Sequence, residues 1–489
     1  MSDAGVLALI LLMIGGLAGL GFVALTAWRP AIGCGVFAFS IPLTTGLGRG
    51  TIIPLLRPNE AILLMLLAGL ALYHLARRPR RPVTSLDLAV GSFAIGVVVI
   101  AGLVLFLSLS LDLHDFGTLR EVLAPAQFFL IYLVFARTDL SGPGRETVLK
   151  LTMLASVVVG LVAIAELANL PGVRGFMAAY YPAPVKPPGW DPIYRPESTL
   201  GHYSAVGAFG ALNYTLALSL ATARHPAFSR VWLSLVMAVN LAALVASLTW
   251  APLLAMPLVT GLVLWHGRRV PPELGLSLAA LALALLLFWP AVNARGTQQG
   301  VATAGQGLVI PQTFQFRLNH WEEFFLPALA DHVWLGTGTL IPSAVPDRLL
   351  DFVDNEYLRE GFRAGVLGLA LLASMLITIA VVGWRSRASP DPMRRSLGAA
   401  CVALVAFFAL IGMTAEYLFF GGVTQEFAMM LGLLGAMQPA PGSAPDRKAP
   451  AASLRLAGVQ AWPSTPYRKL TDQKWVMRVW PQSFQDPSV

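Results

Sequence analysis

The sequence predicts an all-α protein, a polytopic bundle of transmembrane helices. Of the 489 residues, 56% are hydrophobic and only 12% are charged, whereas soluble domains carry roughly 25% charged residues. Long apolar segments recur along the chain, and a helix that crosses a bilayer needs about 20 mostly apolar residues. The net charge of +8 agrees with loops that collect Lys and Arg on the cytoplasmic side. We therefore expect a lipid bilayer, and no nucleic acid, as a partner.

The apolar segments predict about 12–13 spans. The eighth and ninth are nearly continuous, and we expect residues 249–252 (Thr-Trp-Ala-Pro) to turn the chain between them. The first segment lacks a basic start and is interpreted as a span rather than a cleaved signal peptide. The predicted segments are 5–27, 31–47, 60–76, 88–111, 121–136, 149–170, 201–222, 231–249, 251–266, 273–293, 362–383, 397–414 and 423–437.

Clustered arginines and lysines predict the orientation of the bundle. The basic clusters are separated by even numbers of spans, so they fall on one side, which the positive-inside rule assigns to the cytoplasm. The two longer loops, about 171–200 and 294–361, then lie outside. We expect one transmembrane domain over residues 1–437 and a flexible cytoplasmic tail over 438–489. The basic clusters are 77–81, 137–150, 224–230, 268–269 and 385–395.

The first outer loop combines prolines with aromatic and charged side chains. Rings such as those of Trp190 and Tyr194 suit sugars, whose C–H faces pack on aromatic groups. Arg195, Glu197 and His202 fall within eight positions at the start of the seventh span. An aromatic belt at the membrane interface, with arginines reaching to the surface, is the alternative explanation.

The second outer loop carries two predicted helices. In residues 316–332, apolar side chains recur at helical spacing, and Glu322 and Glu323 are expected to face solvent. In residues 347–361, polar side chains would share one helical face. The apolar set is Leu318, Trp321, Phe325 and Leu329, and the polar set is Arg348, Asp351, Asn355 and Arg359.

Arginine is in excess on the side that the positive-inside rule depletes. Its planar, permanently charged fork binds phosphate in a bidentate manner, so a lipid-linked pyrophosphate fits, with a phospholipid head group as the alternative. The chain has no Asp-x-Asp motif and no Cys/His set at metal spacing, so we expect no metal or other cofactor. The outer arginines are Arg174, Arg195, Arg295, Arg317, Arg348, Arg359 and Arg363.

Five short motifs follow one another in a characteristic order. This order resembles the O-antigen ligase and polysaccharide polymerase superfamily, over about residues 190–435. The motifs are Arg195-Pro-Glu-Ser-Thr-Leu-Gly-His-Tyr203, Phe316-Arg317-Leu-Asn-His-Trp321, Leu335-Gly-Thr-Gly-Thr-Leu340, Val353-Asp354-Asn355-Glu-Tyr-Leu358 and Gly365-Val-Leu-Gly-Leu369.

The resemblance implies a metal-independent glycosyltransferase at the outer face of the bacterial inner membrane. Its substrate would be an undecaprenyl-pyrophosphate-linked glycan of an O antigen, hence of lipopolysaccharide, or of an exopolysaccharide. Chain-length regulators or other polysaccharide-assembly proteins would be its partners. From their positions in the motif order, the resemblance implies that Arg195 and Arg317 bind the pyrophosphate. Asp354-Asn355 stands where ligases have His-Asn, and this is closer to the polymerase branch.

The residues leave several assignments open. The predicted catalytic set is Arg195, Glu197, His202, Arg317, Asp354 and Asn355, with the general base among Glu197, His202 and Asp354. The predicted substrate-binding set is Arg174, Trp190, Tyr194, Trp321, Arg348, Tyr357 and Arg359. A ligase that transfers finished glycan to a lipid or protein remains an alternative. A flippase or exporter is a second one, although the spans hold few ionisable residues, chiefly Glu166 and Glu416, and transport pathways normally need them.

Overall fold

The computed structural model describes residues 3–48, 56–77, 81–108, 116–181, 193–303, 309–340, 345–346 and 353–438. Trp190, Arg348 and the tail from residue 439 onward therefore lie outside the described residues. Within them the fold is all-α apart from one antiparallel hairpin of β1 (Val301–Thr303) and β2 (Val309–Pro311). The helices are α1 (Asp3–Trp28), α2 (Pro30–Thr44), α3 (Pro58–Arg77), α4 (Ser85–Leu107), α5 (Phe116–Arg137), α6 (Gly142–Leu167), α7 (Val173–Tyr180), α8 (Tyr203–Ala223), α9 (Arg230–Ala246), α10 (Trp250–Gly267), α11 (Glu273–Leu287), α12 (Trp289–Gln299), α13 (Gln312–His320), α14 (Leu326–Ala330), α15 (Glu356–Arg385), α16 (Pro392–Ile411) and α17 (Val423–Ala436).

The helical membrane architecture is confirmed. Among the described residues, eight helices are long and apolar enough to cross a membrane, and α11 with α12, bent by 73°, would make a ninth. Every predicted segment overlaps a helix. The chain turns between α9 and α10 as expected, but at residues 247–249, because residues 250–252 already belong to α10. Four further predicted spans correspond to shorter apolar helices or, for α1, to part of a longer helix. These four are Gly15–Trp28, Pro30–Thr44, Arg230–Ala246 and Val423–Ala436.

The basic loops meet at one end of the bundle, which we call the basic end. Arg81 pairs with Asp139 at 2.7 Å, joining two of these loops. Arg387 donates to the carbonyl of Trp265 at 3.3 Å and so joins two others. Residues 193–202, 309–340 and 412–422 lie at the opposite end, the loop end, because α8, α10, α15 and α16 run between the two.

Helix α8 is the central element of the bundle, buried along its whole length. It is rich in Ala, Gly and Ser, whose small side chains let helix backbones approach closely. At Gly210, an added Cβ would lie 2.8 Å from the carbonyl oxygen of Asn240 in α9. The composition of α8 therefore determines how near α9 can come.

The amphipathic helix predicted in the long loop is confirmed. Helix α13, a π-helical turn (Trp321–Phe325) and α14 form one continuous helical segment. Trp321 and Phe325 are buried, and Leu318 and Leu329 pack against them. Glu322 and Glu323 are exposed, as expected.

The prediction of a second helix over residues 347–361 is wrong for residues 353–355 and confirmed for residues 356–361, while residues 347–352 lie outside the described residues. Asp354 is in the left-handed region with φ of 48°, and Asn355 is extended. The Asn355 side chain instead caps α15, accepting hydrogen bonds from the backbone N–H groups of Tyr357 (2.9 Å) and Leu358 (3.1 Å). Asn competes for backbone donors in this way and favours a helix start over a helix interior. The polar face expected to run through Asn355 to Arg359 therefore does not form.

Two glycine motifs recognised in the sequence pack against each other at the loop end. Helix α15 is broken at Ala364 and Gly365, where Gly365 has a φ of 60°. The break exposes the carbonyl of Phe362, which accepts a hydrogen bond from the backbone N–H of Thr337 at 2.7 Å. A Cβ added at Gly365 would lie 2.4 Å from the carbonyl atoms of Trp334. Glycine is required here by both conformation and space.

Replacing Gly365 with Ala should therefore destabilise the protein. We expect Gly365→Ala to cost about 1–3 kcal/mol, through a strained φ and overlap with backbone atoms. The measurement is the thermal unfolding midpoint in detergent. Gly261→Ala is the matched control, since that glycine of α10 has open space around it, and helix propensity predicts a gain of up to about 1 kcal/mol. Equal midpoints for the two variants would contradict the packing described for Gly365.

Candidate functional site

Arg195 lies at the loop end, beside the start of α8. Its Nη2 donates to Oγ1 of Thr249 at 3.1 Å, and its guanidinium carbon lies 3.3 Å from the ring centroid of Tyr203. The side chain is 8% exposed. A Cβ added at Gly207 would come within 3.0 Å of Ser247 Oγ, so the small residues of α8 allow the turn between α9 and α10 to reach Arg195.

The segment that carries Arg195 is anchored by Glu166, at the end of α6. The Glu166 carboxylate accepts hydrogen bonds from the hydroxyl of Tyr194 and the backbone N–H of Ser198, both at 2.7 Å. Arg174 donates to the carbonyl of Glu166 at 2.8 Å and lies over the ring of Tyr194 at 3.9 Å. Arg174 and Tyr194 thus hold this segment in place, and their predicted contact with substrate stays a prediction. Glu166, considered above as a transport residue, is occupied by these bonds.

His202 and Glu197 flank the short 3-10 turn Ser198–Leu200. The Nδ1 atom of His202 accepts a hydrogen bond from the backbone N–H of Ser204 at 3.1 Å and so caps α8. Its ring stacks on Phe420, with centroids 4.6 Å apart. An Nδ1 that accepts a hydrogen bond leaves Nε2 as the protonated nitrogen of the neutral ring, so His202 is placed mainly to cap the helix. Glu197 is half-buried beside it.

Arg317 projects from α13 toward the turn before α15. Its Nε donates to Asp354 Oδ2 at 2.9 Å, and the two side chains are 28% and 31% exposed. Burial lowers the pKa of Arg317, but the neighbouring Asp354 carboxylate more than offsets this effect and the pKa rises overall. The described residues offer no hydrogen-bond partner to the two terminal nitrogens of Arg317. The guanidinium is thus tethered by one nitrogen and can present the other two to a ligand.

Tyr417 lies within electrostatic range of both arginines. It is 2% exposed, in the segment between α16 and α17. Burial raises the pKa of its hydroxyl, and Arg317, Arg195 and Asp354 all lie within electrostatic range of it. Arg317 also lies within range of Tyr203, the residue on which Arg195 stacks. The structure therefore brings Arg195, Arg317 and Asp354 together, although they come from two separate loops.

Sequence reasoning missed both tyrosines of this site. Tyr203 directly follows His202 in a motif that was singled out, so its position gave a usable signal. Tyr417 stands alone in a short connection, where nothing in the local sequence distinguishes it.

Unusual backbone conformations surround the site. Six non-glycine residues of the described chain have positive φ. Ser198 lies three residues after Arg195, and Asp354 binds Arg317. Leu248 lies between Thr249 and Ser247, whose carbonyl accepts a hydrogen bond from Nε of Arg195 at 3.5 Å. Such strain costs of order 1–3 kcal/mol per residue and clusters at ligand-binding sites. Its presence at three positions around the arginines favours a functional role for them.

Two of the predicted substrate-binding aromatics support the turn that carries Asp354. Trp321 is buried and donates from Nε1 to the carbonyl of Val353 at 2.8 Å. The hydroxyl of Tyr357 donates to the carbonyl of Ala409 in α16 at 2.6 Å. Their hydrogen bonds hold the turn from both sides, and their predicted contact with sugar stays a prediction.

Arg359 belongs to a neighbouring cluster of charges. It pairs with Glu121 of α5 at 3.1 Å and with Glu416. Arg363, one turn further along α15, pairs with Glu360 at 2.8 Å, and both are almost fully buried. The carboxylates neutralise Arg359, so its terminal nitrogens are less available to a phosphate than those of Arg317. Sequence reasoning missed Glu121 and Glu360.

Removing the indole donor of Trp321 should loosen the Asp354 turn. Trp321→Phe keeps an aromatic ring but leaves the buried carbonyl of Val353 without its partner, which costs about 1–3 kcal/mol. We expect faster amide hydrogen exchange over residues 353–358. Trp289→Phe is the control, because Trp289 is 58% exposed and should leave this exchange unchanged. Unaltered protection in Trp321→Phe would contradict the anchoring role.

No family model matched the chain, and a search of curated proteins found no match either. Among the described residues, no group of three or more His, Cys, Asp or Glu side chains is placed to hold a metal ion. The functional interpretation thus depends on the site's geometry and on the order of its motifs.

Proposed function

We propose that the chain is a membrane glycosyltransferase that polymerises lipid-pyrophosphate-linked oligosaccharide repeat units. The observation that carries the proposal is that Arg195 and Arg317, from two separate loops, both lie within electrostatic range of the buried Tyr417 at the loop end. Two arginines near the Asp354 carboxylate, at the end of a membrane bundle, suit a dianionic lipid head group. The motif order, which resembles the polysaccharide polymerase and O-antigen ligase superfamily, specifies that head group as undecaprenyl pyrophosphate.

In this proposal the two arginines bind the pyrophosphate in different ways. Arg317 presents its two terminal nitrogens as a fork to the phosphate oxygens, while Asp354 holds its Nε. Arg195 is fixed by Thr249 and Tyr203 and contributes a rigid positive charge. Donors fixed in advance stabilise the charge that develops during a reaction without the cost of reorganisation.

The transfer step needs no nucleotide, because the pyrophosphate already activates the sugar. An acceptor hydroxyl forms a bond to the anomeric carbon as the bond from that carbon to the pyrophosphate oxygen breaks. The electron pair leaves with the lipid pyrophosphate, and the hydroxyl proton passes to a general base. Of the three candidates we assign this role to Asp354, because Nδ1 of His202 is occupied and Asp354 lies directly beside Arg317.

A polymerase is preferred to a ligase because of the residue at position 354. The superfamily's ligases carry a histidine where this chain has Asp354, so a histidine-centred mechanism would lack its central group. The two activities differ in what accumulates when the protein is removed. A polymerase deletion leaves single repeat units, whereas a ligase deletion leaves full-length lipid-linked polymer.

Removing Arg317 should abolish polymer formation in cells. In a deletion strain complemented with Arg317→Ala, we expect glycan with one repeat unit, because losing a charge-stabilising donor costs roughly 10²–10³-fold in rate. Arg317→Lys should restore little, since a lysine cannot present a bidentate fork. The measurement is the glycan ladder on a gel, at equal protein levels by immunoblot.

Arg295→Ala is the matched control, another arginine of the same loop, whose Nη1 donates to Gln298 in its own helix. It should give a normal ladder. A normal ladder from Arg317→Ala would sink the site assignment. Accumulation of full-length lipid-linked polymer in the deletion strain would instead identify a ligase.

A further inference from the structure

A second cavity lies at the basic end of the bundle, far from the Arg195–Arg317 site. It has a volume of about 730 Å³. It is bounded by the end of α8, the turn after α10, the end of α15 and the start of α16. Since α8 alone has 21 residues between the two sites, at 1.5 Å per residue they are about 30 Å apart.

Five arginines line this cavity, and no Asp or Glu does among the described residues; the five are Arg268, Arg269, Arg385, Arg387 and Arg395. The positive-inside rule explains why arginines lie at this end, but it does not explain their convergence on one cavity. Three other arginines at the basic end have carboxylate partners: Arg81 pairs with Asp139, Arg137 with Asp87 and Arg230 with Glu273.

The charge in the cavity is not compensated from within the described chain. Arg268, Arg269 and Arg385 make no described ion pair or side-chain hydrogen bond. Arg387 and Arg395 donate only to backbone carbonyls, those of Trp265 and of Ser389 and Pro390. Glu273, four residues after Arg269, pairs with Arg230, and Asp391 caps α16 by accepting from the backbone N–H of Met393 at 2.9 Å.

Two exposed tryptophans mark the side of the cavity that faces the bilayer. Trp265 of α10 and Trp384 of α15 contact each other, with ring centroids 4.9 Å apart, and they are 59% and 38% exposed. Tryptophan is enriched at the interface between membrane and water. The ring of Trp384 also lies 5.1 Å from the guanidinium carbon of Arg387, so the aromatic and basic groups are continuous.

Exposed apolar side chains lead from this tryptophan pair into the membrane. On α15, Val381 and Ile377 lie three and seven residues before Trp384, on the same helical face, and both are exposed. On α10, Leu258 lies seven residues before Trp265 and is also exposed. An apolar surface that ends at a basic cavity is complementary to a molecule with acyl chains and an anionic head group.

We propose that this cavity binds the head group of an anionic phospholipid from the leaflet at the basic end. The arginines bind the phosphate, the tryptophan pair packs against the glycerol region, and the acyl chains follow the apolar faces of α10 and α15. Basic pockets between helices on the cytoplasmic side recognise anionic lipids in this way. The site is independent of the glycosyltransferase proposed for the loop end. A soluble phosphate compound would use the arginines but gain nothing from the apolar surface.

Native mass spectrometry of the purified full chain tests this proposal. The protein would be titrated with phosphatidylglycerol, with zwitterionic phosphatidylethanolamine of the same acyl chains, and with inorganic phosphate. We expect saturable binding of phosphatidylglycerol, at least tenfold tighter than phosphatidylethanolamine. The double variant Arg268→Gln/Arg385→Gln should weaken phosphatidylglycerol binding by roughly 25-fold, since each arginine near an anionic surface contributes about fivefold.

A matched double variant controls for the loss of charge. Arg77→Gln/Lys150→Gln removes two exposed basic residues of the same half of the bundle that do not line the cavity, and it should bind the lipid normally. Arg268→Lys/Arg385→Lys keeps the charge and should keep most of the preference, which separates lost binding from misfolding. The proposal would be overturned if the two lipids bound equally well, or if both pairs of Gln substitutions weakened binding equally. It would also be overturned if inorganic phosphate competed with the lipid at similar concentration.

Discussion

The close approach of neighbouring helices to α8 is the constraint on which the rest of the structure depends. A membrane bundle gains little hydrophobic energy from helix association, so packing contacts and interhelical hydrogen bonds must hold it together. At Gly207 and Gly210 the backbone of α8 has no side chain, and α9 with its following turn comes into contact there. This contact places Thr249 against Arg195 at one end. The other end of α8 forms a wall of the basic cavity.

Charges at the loop end are held by three kinds of partner, since an unpaired charge is costly away from water. Arg174 donates to carbonyl oxygens, Arg359 pairs with carboxylates, and Arg195 and Arg363 lie over aromatic rings. Arg317 differs because, among the described residues, only its Nε has a hydrogen-bond partner. That difference leaves Arg317 two nitrogens for a ligand, beside the fixed positive charge of Arg195.

The sequence allowed the helical segments to be located, because apolar length and Pro or Gly punctuation are local properties. It also allowed the buried face of residues 318–329 to be recognised, since helical periodicity is local too. The turn at Asp354 was not foreseen, because polar residues at helical spacing predicted a helix there. The Asn355 side chain instead caps the start of α15 and so ends the non-helical turn. Tyr417 and Glu121 could not be foreseen, because their importance arises only from contacts between segments far apart in the chain. For the same reason, the bonds of Arg174 and Trp321 to backbone carbonyls could not be foreseen, and their predicted contact with substrate stays a prediction.

The central claim is that Arg195 and Arg317 act on one pyrophosphate. The most direct test is a double-mutant cycle that measures the affinity of the protein, in lipid nanodiscs, for undecaprenyl pyrophosphate. If both arginines bind the same group, the losses from Arg195→Ala and Arg317→Ala should not be additive, with a coupling energy of about 0.5–3 kcal/mol. Strictly additive losses, or an affinity that neither substitution changes, would contradict the claim.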